Sequence, residues 1–309
     1  MFKDFRFIVL EVSLKCLEKA TLNSYHGSMI RGVIGQTLRK VSCTKGKSTD
    51  CGQCSSFKSC PYANVFYSID KSSEDMLTKV TTIPNPFVVY PLMKGKEKFE
   101  EGESLKFNLT LFGKAISYLH YFIHALNEIK ERGLGSGRKK FELEYIKDIK
   151  TGEMILIGDE LSCKDIRGYK LDIEPLNVKR ITLEFDTPLR IKHEGKPAGT
   201  IDFEIAMKNI LRRIAMAHEY FMDKKIDIDY KKLIDESSGI KTVKTNIRWK
   251  KLTRFSSRAK RKLSIGGMSG KISFSGNLTK FYPYIKAGEI LHIGSGCTLG
   301  LGHYNIIFE

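Results

Sequence analysis

The stretch His292-Ile-Gly-Ser-Gly-Cys-Thr-Leu-Gly-Leu-Gly-His-Tyr-Asn-Ile-Ile-Phe308 decides the predicted fold of this chain. It holds four glycines between a predicted helix and a predicted strand: Gly294, Gly296, Gly300 and Gly302. Glycine reaches positive φ and has no Cβ, so this loop can be a tight connection that another backbone approaches closely. Alternatively, its amide N–H groups could bind an anion. The loop lacks a P-loop ending and precedes a strand, so the pattern does not indicate a dinucleotide site.

The same order of helix, glycine loop and strand occurs twice, at residues 114–146 and again at about residues 278–308. A strand followed by a helix also occurs twice, at residues 5–41 and at residues 180–221. Each half therefore predicts a β-α-β-β-α-β unit, which is the ferredoxin-like fold. The internal duplication predicts an α+β protein with two tandem ferredoxin-like domains.

The boundaries follow from composition. We expect an N-terminal domain over residues 1–150, a connection over residues 151–176 and a C-terminal domain over residues 177–309. The connection is rich in glycine and charge, as linkers are. Within the first domain, Ser104–Phe112 alternates polar and apolar residues and predicts a strand. Shorter strands are expected at residues 64–69 and 86–91.

The composition indicates a globular protein with a polyanionic partner. The chain of 309 residues is 41% hydrophobic and 28% charged, and its formal net charge is +17. Such a charge favours nucleic acid or an anionic membrane surface as partner. No apolar run approaches the roughly 18 residues of a spanning helix. The N-terminus has charged residues where a signal peptide needs an apolar core, so we expect a cytoplasmic protein.

Four of the seven cysteines crowd into one polar segment, Cys43, Cys51, Cys54 and Cys60. In a cytosolic chain a local cluster indicates metal binding before disulfides. Four thiolates can hold a tetrahedral structural zinc ion and order the segment. An iron–sulfur cluster is the alternative, because Cys60 precedes a proline as in ferredoxins. Disulfides or free thiols also remain open.

Positive charge is concentrated in an acid-free region, from Lys241 to Gly288, which contains no Asp or Glu. Its first half holds the residues that we predict to bind nucleic acid: Arg248, Lys250, Lys251, Arg254, Arg258, Lys260, Arg261 and Lys262. Trp249 and Phe255 interleave with these cations, which suits phosphate neutralisation combined with base stacking. A membrane-binding segment would be an amphipathic basic helix. This region instead continues as a predicted hairpin, so nucleic acid is favoured.

With these features together, the chain resembles the repeat-associated RNA-binding proteins of the RAMP superfamily. Within that group it is most similar to the CRISPR precursor-RNA-processing endoribonucleases. The resemblance rests on the glycine loop, on the run Ser28-Met-Ile-Arg-Gly-Val-Ile-Gly-Gln-Thr-Leu38, on the cysteine block with Cys60-Pro-Tyr, and on Gly113 after Leu-Phe. It covers nearly the whole chain and points to a four-cysteine branch.

The resemblance implies a CRISPR repeat RNA as substrate, cut once per repeat to release guide RNAs. It implies a metal-independent reaction without a catalytic cofactor, in which the ribose 2′-hydroxyl attacks the adjacent phosphate. It also implies RNA contacts by the glycine loop, and other CRISPR-associated proteins as further partners of a monomer or homodimer. Histidine suits the acid and base roles, and Lys or Arg suits the phosphorane charge.

In the family the catalytic histidine lies in or just after the first helix, but residues 28–60 hold no histidine. The nearest one is His26, beside Tyr25, so the resemblance points to these two residues and to Arg31 as a charge stabiliser. Lys40 is a second possible stabiliser. His292 and His303 bracket the glycine loop and can pack or bind RNA.

Three rival hypotheses remain. The first is a non-catalytic guide-RNA binder or interference-complex subunit, which the missing helix-adjacent histidine favours. The second is a metal-dependent nuclease, for which the sequence offers no suitable carboxylate cluster. The third is a zinc-stabilised assembly protein, which would leave the acid-free region unexplained.

Overall fold

The computed structural model describes residues 2, 4–46, 50–67, 83–158, 160–161, 166–193, 196–222, 227–256 and 260–308. The chain forms two compact units. The first unit is Phe5–Lys170, and the second is Leu171–Glu309 together with Met1–Asp4. Each unit combines an antiparallel sheet with helices.

The first unit contains nine of the strands, which are β1 Arg6–Cys16, β2 Ala20–Thr21, β3 Phe87–Pro91, β4 Lys98–Phe99, β5 Ser104–Phe112, β6 Phe141–Asp148, β7 Met154–Ile157, β8 Glu160–Leu161 and β9 Tyr169–Lys170. Its α-helices are α1 Gly27–Ser42, α2 Pro61–Phe66, α3 Leu119–Asn127 and α4 Ile129–Arg132. Short 3₁₀ turns lie at Cys51–Gln53, Phe57–Ser59 and Gly113–Tyr118.

Strand order in the first sheet is β3-β5-β1-β6-β7-β8, and β9 pairs with β1. All pairs to β1 are antiparallel, with Leu10 opposite Leu109 on one side and Val12 opposite Ile146 on the other. The four strands β1, β3, β5 and β6 with α1 and α3 reproduce the ferredoxin-like order. Helix α1 buries Ile30, Ile34 and Leu38 at four-residue spacing, so one of its faces joins the core.

The second unit contains strands β10 Arg180–Leu189, β11 Lys192–His193, β12 Lys196–Pro197, β13 Lys241–Lys250, β14 Thr253–Ser256, β15 Arg261–Ser264, β16 Gly267–Ser275 and β17 Tyr304–Phe308. Its helices are α5 Phe203–Phe221, α6 Tyr230–Ser237 and α7 Tyr282–Leu291, and a 3₁₀ turn lies at Cys297–Leu299.

The second sheet has the order β13-β16-β10-β17, the same topology as the core of the first sheet. Asp202 caps α5, because its Oδ1 accepts a hydrogen bond from the N–H of Ile205 at 2.7 Å. Ile210 and Ile214 of that helix are fully buried. The predicted tandem ferredoxin-like α+β fold is therefore confirmed.

Two sequence-based predictions were wrong. Residues 64–66 of the expected strand 64–69 lie in α2, which begins at Pro61, where the missing N–H costs nothing. Residues 68 and 69 lie outside the described residues. Residues 151–170 were expected to lie in the connection, but β7, β8 and β9 extend the first sheet. The short apolar run from Met154 to Ile157 supplies the pairing with β6. The first unit thus ends near Lys170.

The other predicted elements are present. The strand Ser104–Phe112, the strand near residues 86–91 and the hairpin-rich basic region occur as expected. No helix in the described ranges is long and apolar enough to cross a membrane.

Candidate nucleic-acid interface

His26 lies directly before α1, and its ring is fully buried. The ring packs edge-on against Phe99, with 5.7 Å between centroids. Burial lowers the pKa of His26, because the charged form loses its hydration. The ring is therefore a neutral, enclosed group in this structure and does not face solvent.

The other residues predicted for catalysis also take part in packing. Tyr25 is buried. The Arg31 guanidinium lies over the ring of Phe66 at 4.3 Å, and its Nη2 donates to Asn85 Oδ1 at 3.4 Å. Lys40 pairs with Glu128 at 2.9 Å on the surface. The structure gives these side chains local contacts, and their catalytic role stays a prediction.

The four clustered cysteines lie in the segment between α1 and α2, and all are half-buried free thiols. Burial raises the pKa of Cys51, and smaller contributions in the same direction come from Cys43, Cys60 and Cys54. Asp50 orders this segment, since it accepts hydrogen bonds from the N–H of Gly52 and the hydroxyl of Tyr67, each at 3.0 Å. Among the described residues, however, no three His, Cys, Asp or Glu groups are arranged to hold a metal ion.

The second sheet presents a polar face. Side chains alternate along a strand, so Ile181, Leu183 and Phe185 of β10 point into the core and the residues between them point to the other face. We call that other face the open face. Register places the following residues of the four strands on it: Arg180, Thr182, Glu184, Asp186, Lys241, Lys244, Asn246, Arg248, Lys250, Ser269, Lys271, Ser273, Asn305 and Ile307.

Cations outnumber acids on the open face. Its carboxylates, in the described part of the sheet, are each engaged: Glu184 pairs with Lys271 at 3.2 Å, and Asp186 contacts His303 at 2.9 Å. A shallow pocket of about 250 Å³ lies between the strands, lined by Arg180, Thr182, Lys244, Asn246, Lys271, Ser273 and Ile307. A positive, polar hollow of this kind suits a phosphate group.

Strand β13 extends this surface. It is the edge strand of its sheet, and nearly all of its residues are exposed. Lys241, Lys244, Arg248 and Lys250 alternate onto the open face by register with β16. The side chain of Trp249 is 51% exposed and that of Phe255 is 60% exposed, so both rings are available for base stacking.

The structure exposes most of the predicted RNA-binding cations. Lys250, Lys251, Lys260, Arg261 and Lys262 are exposed around the β14–β15 hairpin, and Arg248 lies on the open face. Arg258 lies outside the described residues.

Arg254 is partly buried in the same hairpin, and its Nε has no hydrogen-bond partner. Burial, and then the neighbouring Arg190, lower the pKa of Arg254. Arg190 was not predicted, because it follows β10 outside the acid-free region. Its position at the end of β10, opposite the glycine loop, was the feature that could have identified Arg190 as a candidate.

The glycine loop is a tight backbone crossing. Gly294, Gly296, Gly300 and Gly302 all have positive φ, between 71° and 85°. A Cβ on Gly302 would lie 1.8 Å from the carbonyl oxygen of Ile293. Only glycine fits this approach.

Several loop amides already donate within the protein, which favours the tight-connection alternative for this part of the loop. Backbone carbonyls accept the N–H groups of Ser295, Leu299, Gly300, Leu301 and Gly302. These donors are used to hold the loop closed, for example the N–H of Ser295 on the carbonyl of Arg190 at 2.7 Å. Contact of the four glycines with RNA stays a prediction.

Two ferredoxin-like units, a cationic open face and a four-glycine loop before the last strand define a protein of the RAMP class. Residues 183–304 match the family model described as CRISPR-associated endoribonuclease Cas6. Residues 5–166 match the AF_1859_N model, described as an N-terminal domain. The chain therefore has a C-terminal domain of the CRISPR-associated Cas6 family and an N-terminal domain of the AF_1859_N family.

Solved structures show the same fold. A Thermus thermophilus Cas6 is 12% identical with a TM-score of 0.57, and the match covers 98% of this chain and 99% of that one. A Cas6 product complex is 13% identical with a TM-score of 0.59, again covering 98% and 99% of the two chains.

A partial Cas6-RT-Cas1–Cas2 complex is 14% identical with a TM-score of 0.62, and it covers 99% of this chain. This chain spans only 46% of the length of the matched chain in that complex. No curated protein sequence matches the chain.

The open face predicts the salt dependence of RNA binding. Lys244→Ala combined with Arg248→Ala removes two exposed cations and leaves the core untouched. Each phosphate contact contributes about 0.7 to the slope of log affinity against log salt for single-stranded RNA. We expect the magnitude of this slope to fall by about 1.4. Fluorescence anisotropy with labelled repeat RNA over a salt series measures it.

The control is Lys231→Ala combined with Lys232→Ala, which removes the same charge from α6 of the same unit. An equal change in both double variants would mean that only net charge matters. An unchanged slope in the first variant would place the RNA elsewhere.

Proposed function

We propose that this protein binds CRISPR repeat RNA along the open face and the β14–β15 hairpin. The observation that carries the proposal is the acid-free region, which lies exposed: Lys241, Lys244 and Arg248 are on the open face, and the exposed ring of Trp249 is on the opposite side of the edge strand β13. The ring of Phe255 is exposed in the adjoining hairpin. Phosphates neutralise the cations, and the rings stack on bases. Support also comes from the Cas6 product complex, whose fold this chain shares.

We further propose that the protein cuts the precursor transcript within each repeat without a catalytic metal ion. A base removes the proton of the ribose 2′-hydroxyl, and the 2′-oxygen then forms a bond to the adjacent phosphorus. The bond from phosphorus to the 5′-oxygen breaks, and that oxygen takes up a proton. The products are a 2′,3′-cyclic phosphate and a 5′-hydroxyl. A cation near the phosphate stabilises the charge that develops in the transition state.

The sequence pointed to His26 as the base, with Tyr25 and Arg31 beside it. Burial of the His26 ring favours its neutral form, but it also separates the ring from any solvent-side ribose. A general base must come within hydrogen-bond reach of the proton that it removes. Catalysis by His26 therefore requires that RNA binding expose the ring. This burial is also the observation that favours the second candidate function, a guide-RNA binder that does not cut.

The test is cleavage of end-labelled repeat RNA in EDTA by the wild type and by His26→Ala. We expect the wild type to release a 2′,3′-cyclic phosphate, and a substrate with a 2′-deoxy sugar at the cut to stay intact. Because the ring is a buried packing residue, we expect folded His26→Ala to keep most of the cleavage rate. Removing a buried ring costs on the order of 2 to 3 kcal/mol of stability, which thermal unfolding measures.

The outcomes separate the hypotheses. Complete loss of cleavage by a folded His26→Ala would make His26 the base, as the sequence predicted. Tight binding with no cleavage by the wild type would support the non-catalytic binder. Cleavage that EDTA abolishes would indicate a metal-dependent nuclease.

We also propose that the four-cysteine segment binds a structural zinc ion. Four thiols in one short segment are a donor set that zinc prefers. Their present arrangement does not form a metal site among the described residues. Binding would therefore have to draw the sulfur atoms together, and no catalytic step depends on it. An iron–sulfur cluster is the alternative.

Elemental analysis of the purified protein tests the zinc proposal. We expect about one zinc ion per chain, lost in Cys51→Ser combined with Cys54→Ser, with a lower melting temperature. Ser55→Ala combined with Ser56→Ala is the control in the same segment, and it should keep the zinc ion and the melting temperature of the wild type. Iron with visible absorbance would indicate the cluster. A fully folded, metal-free protein in which all four thiols of this segment can be titrated would contradict both the zinc ion and the iron–sulfur cluster.

The cellular setting follows from the substrate. Since repeat RNA is made in the cytoplasm of prokaryotic cells, we propose that the protein acts there. Its further partners are then other CRISPR-associated proteins, as in the complex in which a related Cas6 module is joined to reverse transcriptase and Cas1–Cas2. We propose that it works as a monomer or homodimer.

A further inference from the structure

Asp186 and His303 form a histidine–carboxylate pair at one end of the open face. The Nδ1 of His303 lies 2.9 Å from Oδ1 of Asp186. The backbone N–H of His303 donates to Thr187 Oγ1 at 2.9 Å, which fixes the residue where the glycine loop ends. Both side chains remain partly exposed, at 15% for His303 and 22% for Asp186. The sequence separation is 117 residues, so only the fold brings them together.

The carboxylate sets the form of the imidazole. A carboxylate at Nδ1 favours the tautomer that carries its proton there, which leaves the lone pair on Nε2. This is the arrangement in which an acid residue orients a histidine for general-base work. The pair thus has the geometry of a histidine general base with an orienting carboxylate, and not only that of a surface ion pair.

The imidazole ring next to His303 is that of a second, buried histidine. The ring of His292, at the end of α7, lies 4.9 Å from that of His303. Burial, followed by repulsion from His303, holds the pKa of His292 well below its usual range. Arg213 of α5 is also buried and donates from Nε to the carbonyl of Leu291 at 3.2 Å. The buried His292 ring beside His303 is therefore held in its neutral form.

The pair shares its surface with the phosphate pocket. Register places Phe185 opposite Tyr304, so Asp186 and His303 follow on the open face. Ile307 lines the pocket and belongs to the same row, four residues farther along. At about 3.3 Å per residue this is roughly 13 Å, a distance that a short RNA strand spans.

We propose that His303 is the general base of RNA cleavage on the open face and that Asp186 is its positioning residue. This inference rests on the proposed cleavage function. His303 Nε2 takes the proton of a ribose 2′-hydroxyl, and the 2′-oxygen bonds to the adjacent phosphorus. The bond to the 5′-oxygen breaks, and water protonates that oxygen. The imidazolium then returns its proton to the hydroxide that remains, so protons and electrons balance.

The test compares single-turnover cleavage of repeat RNA in EDTA by the wild type, His303→Ala and Asp186→Asn. Loss of a general base costs about 10²- to 10⁴-fold in rate. We expect that loss in His303→Ala, with RNA affinity changed less than about twofold and partial rescue by free imidazole. His120→Ala removes an exposed histidine from α3 and is the matched control, expected to cut at the wild-type rate.

Two further readouts separate the proposed roles from structural ones. Asp186→Asn should slow the wild type but add no further loss in the His303→Ala background, because it acts through His303. When sulfur replaces the 5′-bridging oxygen of the substrate, the leaving group needs no general acid. His303→Ala should still cleave this substrate more slowly than the wild type, because the group that it lacks is the base. His303→Gln serves as the base-deficient variant if His303→Ala fails to fold.

Equal cleavage by the wild type and by folded His303→Ala or His303→Gln would overturn the inference and leave the proposed function standing. A rate loss without imidazole rescue that tracks weaker RNA binding would make His303 a binding residue and also overturn it. Binding without any cleavage by the wild type would remove the cleavage function and this inference together.

Discussion

In the described part of the second unit, the buried apolar side chains of the sheet β13-β16-β10-β17 lie on one face, and the alternation of side chains along its strands fixes what the other face carries. Ile181, Leu183, Phe185, Ile272 and Phe274 are buried among the helices. A shift of the register by one residue would bury the lysines and expose this core. Burial of the apolar side chains therefore determines which cations reach solvent together. The proposed RNA path, the pocket and the Asp186–His303 pair all depend on that register.

The two units share a topology but not the chemistry of their corresponding faces. In the first unit Glu11 accepts a hydrogen bond from Tyr145 at 2.7 Å and lies 3.6 Å from Lys147. That hydrogen bond, followed by nearby lysines, lowers the pKa of Glu11. Glu144 accepts from Ser13 at 2.7 Å and from Ser104 at 2.9 Å. This face balances its own charges, whereas the second unit has cations in excess.

Much of the fold could be predicted from the sequence, because repeated local patterns specify it. The duplicated strand–helix order, the alternation of Ser104–Phe112 and the acid-free region all depend on neighbours in the chain. The α2 helix was missed because its apolar residues fit a strand equally well and Pro61 alone distinguished them. The strands after residue 151 were missed because a polar, glycine-rich composition outweighed one four-residue apolar run.

The site was less predictable, because it depends on contacts between distant residues. His26 was a reasonable base by its place before α1, but Phe99, from a strand far along the chain, encloses it. The sequence left open whether the amides of the glycine loop bind an anion or close a tight connection, because the carbonyls that accept several of them include those of Arg190 and Pro188, about a hundred residues earlier. The pairing of Asp186 with His303 follows only from the β10–β17 register.

The central claim is that RNA lies on the open face of the second unit. Photo-cross-linking of repeat RNA containing 4-thiouridine, followed by mass spectrometry of the cross-linked peptides, tests it most directly. We expect cross-links in peptides that span Lys241–Lys250, in the hairpin that contains Phe255 and in the segment after the glycine loop. Cross-links confined to peptides of Phe5–Lys170, with none on β13 or β17, would contradict it.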